Sequence, residues 1–488
     1  MRPLWTAAEA RAFDADIAES TGLPSLLLME NAGWGAFHAL LGMCPNPSRV
    51  TLVCGPGQNG GDGWVVARLM RAETTAEVVV LTVGERASGD AKLQRDAYER
   101  RFASDAPQAS AQLELSALRA LFDTSDVVVD GLFGTGLSRE VVGEARRVIE
   151  CMNASQAPVL ALDIPSGIDA DTGARRGVSV VAERTVTFGA QKRGLRAADG
   201  VEGSGMIHVA SLGFRAADAG ACILERSDAT ISPRGRQMHK GIAGRVGLVA
   251  GSPGMSGAAA LTARAAFRSG AGVVRLWSRG ETHPGFPELM QSPFEDSMID
   301  ALRECHACGI GPGLGSADEE RARRIILETT ASACIDADAL RYFARDPQSL
   351  RDRPNLVLTP PPGEAAALLG CSAARVEADR YRAAQELADR TGQVVVLKGA
   401  CSIIASPGAF LRVSPFGSTA LATAGSGDVL TGLITALLVH LSPLEAATTG
   451  VIVHGLAGER LGHDRGVLAS EIADAIPAVM AELQAAAT

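Results

Sequence analysis

The longest apolar stretch, Leu433 to Leu441, is broken by Thr435 and His440. It falls far short of the ~20 residues that a helix needs to cross a bilayer, so no membrane partner is expected. The opening residues, MRPLWTAAEARAFDAD, carry charges every few positions and no apolar leader core, so no secretory signal is expected. An excess of positive charge is also missing. The 46 basic residues stand against 55 acidic ones, a formal charge of -9. A general nucleic-acid binder needs a basic face, which argues against nucleic acid as a partner. A local basic pocket for a phosphate is still allowed. Paired cysteines are lacking too. The nine thiols are odd in number, and the only close pair is Cys305-His306-Ala307-Cys308. That pair lacks the second pair that zinc spacing requires. A secreted disulfide framework does not suit this length and spacing. Structural thiols in a reduced, cytoplasmic protein are therefore expected. There is no repeat of about 20–50 residues and no low-complexity segment.

What is present is globular. Hydrophobic residues make up 47% and charged residues 21%, enough apolar surface to offset the ordering entropy of a folded chain. A length of 488 residues suits two large α/β domains or about three ordinary ones. Glycine is enriched, with 54 residues that cluster in short loops after apolar runs. Val50–Cys54, Val78–Val83, Asp126–Asp130, Pro158–Asp163, Arg184–Phe188 and Met206–Ala210 read as strands, with helices at Trp64–Arg71 and Asp90–Phe102. After the irregular, basic segment Ile231–Lys240 the alternation resumes. Strands are expected at Arg245–Ala250, Val273–Trp277, Ala333–Asp336, Asn355–Thr359 and Gln393–Lys398. Helices are expected at Ala258–Ser269, Glu319–Thr329, Ala383–Arg390 and Val429–Leu441. Such alternation implies mostly parallel sheets with helices on both faces. A boundary near 215–225 gives domains 1–218 and 222–488.

VTLVCGPGQNGGDGWVVARLM, residues 50–70, reads as strand, glycine loop and helix. Gly55, Gly57, Gly60, Gly61 and Gly63 permit positive φ and remove side chains, so successive N–H groups can converge on an anion at the helix start. Asp62 could cap that helix or hold a ribose hydroxyl. The pattern is neither GxGxxG nor a phosphate loop ending in Lys-Ser/Thr. A tight turn with no ligand is the alternative. Two more loops follow strands, Asp130–Gly136 (DGLFGTG) and Asp163–Gly167 (DIPSG). In doubly wound sheets ligands bind beyond the carboxyl ends of strands. Asn59, Asp130 and Ser166 would bring oxygens to that edge, where one carboxylate among neutral oxygens suits a monovalent cation better than calcium. Asp163 is a second carboxylate there, either an acid/base group or a strand-end cap.

In the second half, ATAGSGDVLTG at 422–432 is the most informative segment. Gly425 and Gly427 would leave free N–H groups at a helix start, with Asp428 beside them. A carboxylate there can take a substrate hydroxyl's proton while the helix end holds a transferring phosphoryl group. A plain N-cap turn is the alternative reading. GIGPGLG at 309–315 and VVVLKGACS at 394–402 add two more strand-end loops. His454 lies on an Ala/Val-rich helix and is expected to be a satisfied core histidine. Arg234, Arg236 and Lys240 could meet phosphates or form a solvated linker.

CGPGQNGGDG, DGLFGTG and DIPSGIDADTG, with LMENAG at Leu28–Gly33, resemble the NAD(P)H-hydrate epimerase domain. The resemblance implies a Rossmann-like sandwich. It implies that the hydrated dinucleotide binds at Gln58, Asn59, Gly60, Gly61 and Asp62, at Gly134, Thr135, Gly136, Leu137, Ser138, Arg139 and Glu140, and at Asp163. It also implies K+ at Asn59, Asp130 and Ser166. Gln58 stands where that family usually has Asn. HKG, AGSPGMSGAA, GPGLG, DADAL, TPPPGE, KGA and AGSGDVLTG resemble the ADP-dependent NAD(P)H-hydrate dehydratase, a ribokinase-like α/β domain. By that resemblance, hydrate contacts fall on Ala259, Gly313, Pro361 and Asp428. Nucleotide contacts fall on Lys398, Gly399, Ala400, Cys401, Ser402 and Gly427, with ADP as phosphoryl donor and Mg2+. Pro361 replaces the family's usual His, and Ser418 a common Asn. Proline lacks both a side-chain donor and an N–H, so weaker hydrate binding is expected.

These resemblances imply a bifunctional isomerase and lyase acting on the hydrates of NADH and NADPH, expected to form a homo-oligomer. Asp428 and Asp163 are its catalytic candidates. Two rival readings stay open on the sequence. One is a small-molecule kinase of the ribokinase-like fold, which leaves the first half unexplained. The other is a nucleotide-binding regulator whose second site is impaired.

Overall fold

The computed structural model describes residues 1–84, 87–103, 106–280 and 286–486. It divides into two compact units, Pro3–Ala221 and Cys222–Thr488, with Met1–Arg2 belonging to the latter. In that unit the terminal ammonium lies 3.1 Å from Glu225 and 3.0 Å from Asp228.

In the Pro3–Ala221 unit, runs such as Val127–Gly131 and Val159–Leu162 are buried along their whole length. Strands apolar on both faces belong in a parallel sheet covered on both sides. Seven strands form it: Arg49–Cys54, Glu77–Thr82, Gln108–Ala109, Val127–Gly131, Val159–Leu162, Arg184–Phe188 and Met206–Ala210. Their spatial order is third, second, first, fourth, fifth, sixth, seventh, and all pairings are parallel. The order reverses between the first and fourth strands, so the crevice beyond their carboxyl ends is the switch point where α/β sheets bind ligands. Alternate residues divide between two cores. Leu52, Val129 and Leu160 face the helices Ser25–Met43 and Gln58–Glu73, whereas Val53, Val128 and Ala161 face Leu115–Asp123 and Gly143–Ala154.

The second unit repeats the plan. Its strands are Arg245–Val249, Val273–Ser278, Met290–Pro293, Ala307–Ile310, Ser332–Ile335, Leu356–Leu358, Val394–Leu397, Ile403–Ala405 and Leu411–Val413. They run third, second, first, then fourth to ninth, parallel except for the last two pairings. Again the reversal falls beside the first strand, at Val246–Val249 against Ala307–Ile310. The helices Ser256–Arg268 and Ser426–Leu437 pack closely where Gly432 meets the Thr262 carbonyl, leaving no room for a Cβ.

Three differences from the sequence reading have physical causes. The helix that follows the Arg49–Cys54 strand begins at Gln58 rather than Trp64. Its glycines, weak helix formers alone, are held there by packing. Ala307–Ile310 was not recognised as a strand because Ala-Cys-Gly-Ile has a single β-branched residue, yet it is buried throughout. The antiparallel strands Ile403–Ala405 and Leu411–Val413 are three residues each, too short for periodicity to show.

Candidate active sites

Strand ends and the Gln58 helix enclose a cavity of about 450 Å³ in the first unit. Gln58, Asn59, Asp62, the segment Gly134–Arg139 and Asp163 line it. Gly60, Gly61 and Glu140 do not. The glycines were expected to present bare N–H groups in left-handed turns, and the structure corrects this. None of Gly55, Gly57, Gly60, Gly61 and Gly63 has positive φ. Gly61 N–H already bonds the Gly57 carbonyl at 3.2 Å. These glycines allow close approach instead: a Cβ on Gly55 would sit 2.0 Å from the Leu132 carbonyl, and one on Gly60 1.9 Å from the Gly55 carbonyl. Asp62 lies inside the helix rather than capping it, and Gly57 takes the cap position.

Asp163 does face the cavity, in a left-handed conformation with φ 63°. A non-glycine residue there is strained, and such strain gathers at functional sites. Its carboxylate is paired with Lys192, whose side chain is 3% exposed. Lys192 was missed by sequence reasoning. Its signal was faint, a lysine ending the otherwise uncharged TVTFGAQK segment. Asp14, from the first helix, is a further carboxyl on the cavity wall. Burial, reinforced by the charges of Asp163 and Asp14, pushes the Asp62 carboxyl well above its usual range.

Asp130 and Ser166 meet directly, and Asn59 shares the Phe133 carbonyl with Ser166. Ser166 donates from N–H and Oγ to the two Asp130 oxygens at 2.8 and 2.6 Å. Asn59 Nδ2 bonds the Phe133 carbonyl at 2.8 Å. Asn59 Oδ1 is buried without a partner. Burial raises Asp130 to about 6. The Phe133 loop thus gathers an unpartnered amide oxygen, one buried carboxylate and a hydroxyl.

In the second unit, Gly425 (φ 90°) caps the Ser426–Leu437 helix with no side-chain cap, so its N-terminal N–H groups carry the helix's partial positive charge. Asp428 stands in that first turn. Burial, then Asp336, raise it to about 6 against the pull of Lys398. Lys398, expected as a nucleotide holder, also pairs with Asp336: Nζ lies 2.7 Å from Asp336 Oδ1, and Thr431 Oγ1 bonds Asp336 Oδ2 at 2.8 Å. Burial alone would depress the Lys398 ammonium, but Asp336 raises it. A Cβ on Gly427 would come 3.3 Å from Lys398 Nζ, so glycine there keeps the turn against this ion pair. His454 is buried, with Nε2 3.0 Å from the Ser426 carbonyl, and burial lowers it to about 4. It is a neutral core histidine that braces the turn.

Ala259 and Gly313 share a corner. Gly251 N–H bonds the Pro312 carbonyl at 2.8 Å, Ser252 Oγ bonds the Gly313 carbonyl at 2.8 Å, and a Cβ on Gly251 would strike Ala259. The Pro360 carbonyl accepts from Lys398 N–H at 3.0 Å, which ties the proline loop to the strand end. Pro361 caps the Pro362–Leu369 helix. Of the segment 398–402, Gly399 and Ala400 are exposed, Lys398 and Ser402 half-buried, and Cys401 buried. Arg380, which sequence reading missed, supports the turn by bonding the Lys398 carbonyl at 3.1 Å. Glu364 was inside a recognised motif without a role. It has a buried oxygen with no partner and is pushed by burial and Asp336 to about 7. Ser418 precedes a short helical turn and is exposed. Arg234 meets the Gly270 carbonyl rather than an open pocket. Among the described residues no three His, Cys, Asp or Glu side chains could hold a metal ion by themselves. No helix among them is long and apolar enough to cross a membrane.

Residues 25–194 match the family of the YjeF-related protein N-terminus. Residues 246–478 match the NAD(P)H-hydrate dehydratase family. The bifunctional NAD(P)H-hydrate repair enzyme Nnr of Escherichia coli is 36% identical over 487 residues, covering 96% of this chain and 92% of its own. The same-named protein of Coxiella burnetii is 37% identical over 474 residues, covering 93% and 95%. Among solved structures, a ribokinase-like superfamily protein from Enterococcus faecalis is similar over 54% of this chain and 96% of its own, with a TM-score of 0.51 and 26% identity.

Proposed function

The chain belongs to the bifunctional NAD(P)H-hydrate repair enzymes, and from that premise we propose how its two sites divide the work. It is an isomerase and a lyase: an NAD(P)H-hydrate epimerase followed by an NAD(P)H-hydrate dehydratase. The observation that carries this reading is the presence of both halves, in order, over nearly the full length of such relatives. A reduced nicotinamide ring that has added water at carbon 6 no longer donates hydride. The first domain interconverts the R and S forms at that carbon, and the second returns the S form to NADH or NADPH.

Hydroxide is a poor leaving group. Transfer of the β-phosphoryl group of ADP to the hydrate's hydroxyl makes it a good one, and elimination then yields AMP, phosphate and the restored cofactor. In this scheme Asp428 takes the hydroxyl proton as its oxygen attacks phosphorus. The N-terminal N–H groups at Gly425–Gly427 face the charge that develops on the transferring group. Lys398, paired with Asp336, holds the nucleotide together with the 399–402 segment and Gly427. Mg2+ would arrive on the nucleotide phosphates, with one or two carboxylates from the protein, as suits an ion that keeps its waters. Glu364, with its unpartnered oxygen, would be one such carboxylate. In the first domain Asp163 is the acid/base group, and Gln58, Asp62 and Gly134–Arg139 hold the dinucleotide. K+ would be held by Asn59, Asp130 and Ser166, fixing the Asp130–Gly134 loop by charge neutralisation. The protein is proposed to act in the cytoplasm as a homo-oligomer.

The test uses the full chain with each hydrate isomer and ADP, followed by the near-ultraviolet absorbance of the reduced cofactor. Recovery from both isomers supports this reading. Binding without recovery supports the regulator, and a stable phosphorylated metabolite supports the kinase.

A further inference from the structure

The first cavity gathers the carboxyl groups of Asp14, Asp62 and Asp163 around one buried ammonium, that of Lys192. Asp90, Arg11 and Arg139 complete its charged lining. An ammonium has three hydrogen-bond donors. Lys192 directs them to Asp163 Oδ1, to Thr187 Oγ1 at 3.1 Å and to the Phe188 carbonyl at 2.9 Å. None is left for a ligand. Asp163 Oδ1 is also met by Thr187 Oγ1 at 3.2 Å and Phe188 N–H at 3.3 Å. Among the described residues no donor reaches Oδ2. One oxygen is therefore tied and the other is offered to the cavity. Lys192 itself is fixed by the backbone, since Trp5 and Lys192 are register partners in a short parallel pairing.

We propose that Lys192 is a positioning residue for epimerisation: it anchors Asp163 through one carboxylate oxygen, selects it among the three carboxyl groups as the base, and presents the second oxygen to the hydrate. An ammonium in contact favours a carboxylate over a carboxylic acid. Asp62 has no cation bonded to it, and burial together with its acidic neighbours favours its protonated form. The cavity thus offers Asp163 as base and Asp62, favoured in its protonated form, as acid. The base takes the carbon-6 hydroxyl proton as the C6–N1 bond breaks to an open aldehyde, the acid protonates N1, and reclosure on the other face of the carbonyl returns both protons. The inference rests on the epimerase reading of this site.

The experiment follows R-to-S conversion in the full chain across pH for wild type, Lys192→Met, Lys192→Arg, Asp163→Asn and the double variant Lys192→Met/Asp163→Asn. Lys192→Met is expected to lower kcat roughly 100-fold with KM within about threefold, and to move the acid limb of the profile upward by about one pH unit or more. Lys192→Arg, which keeps the cation, should hold the limb in place. Should Lys192→Met fail to fold, the double variant decides, because it leaves no buried charge unpaired. It should turn over at the rate of Asp163→Asn, within about threefold. A further tenfold loss in the double variant, or wild-type kcat and pH profile in folded Lys192→Met, would overturn the proposal. If wild type itself leaves the R hydrate unchanged, the epimerase reading fails instead.

Discussion

Each site pairs a strand-end aspartate with a lysine, but the two pairs are used differently. In the first unit Lys192 grips Asp163, the acid that faces the cavity. In the second, Lys398 grips Asp336, which is 2% exposed, and leaves Asp428 with no cation of its own. The partnered acid of the first site is held in place by its lysine. The unpartnered acid of the second is pushed up to about 6 by burial and by Asp336. A lysine near an active carboxylate is thus not one device. Whether it contacts the working acid or its neighbour decides which of the two it anchors.

The sharpest way to break the comparison is a reciprocal pair of variants. Asp428→Asn should lower dehydration by roughly 1,000-fold or more while R and S hydrates still interconvert. Asp163→Asn should slow interconversion by about 100-fold or more yet leave recovery from pure S hydrate unchanged. Following both isomers by chromatography alongside cofactor absorbance checks both claims. One variant silencing both reactions would mean that the sites are not separate.

The pH profile sharpens the contrast. Asp428 is protonated below about 6, and a protonated carboxyl cannot take the hydroxyl proton. Dehydration kcat should therefore fall about tenfold per pH unit below that point, in single-turnover measurements with saturating ADP. A flat profile from pH 5 to 8 would remove Asp428 as the base.

Smaller effects follow. Pro361→His restores a donor at the proline loop and should tighten hydrate binding by roughly threefold to tenfold, read by titration. Unchanged affinity would show that the loop does not touch the hydrate. K+ in place of a bulky cation should raise the first unit's melting temperature by a few degrees. The gain should be larger at pH 8 than at pH 5.5, because Asp130, raised to about 6, is then ionised and free to meet the cation. The sign is fixed by competition: below that value a proton occupies the carboxyl that the cation needs.

The parallel sheets were legible because DVVVD, PVLALD and VVVLK are apolar on both faces, a pattern that only a doubly covered sheet satisfies. Asp163, Asp130 and Asp428 were legible because each ends or begins an element at a sheet's carboxyl edge. Gly60 and Gly61 were misread as an open anion loop, since a glycine needed for positive φ and one needed for close approach look alike in a sequence. Lys192, Arg380 and Asp14 went unseen because each reaches its site from an element distant in the chain.

The order of residues alone determined two α/β units, their strand-end loops and the short list of acids that could do chemistry, because periodicity and chain punctuation are local. Which acid owns a lysine, which glycine lies beneath a carbonyl, and that Lys398 pairs with Asp336 were decided only by the tertiary structure. Those pairings join residues 29 and 62 positions apart, and an ion pair acts through distance in space and the burial around it.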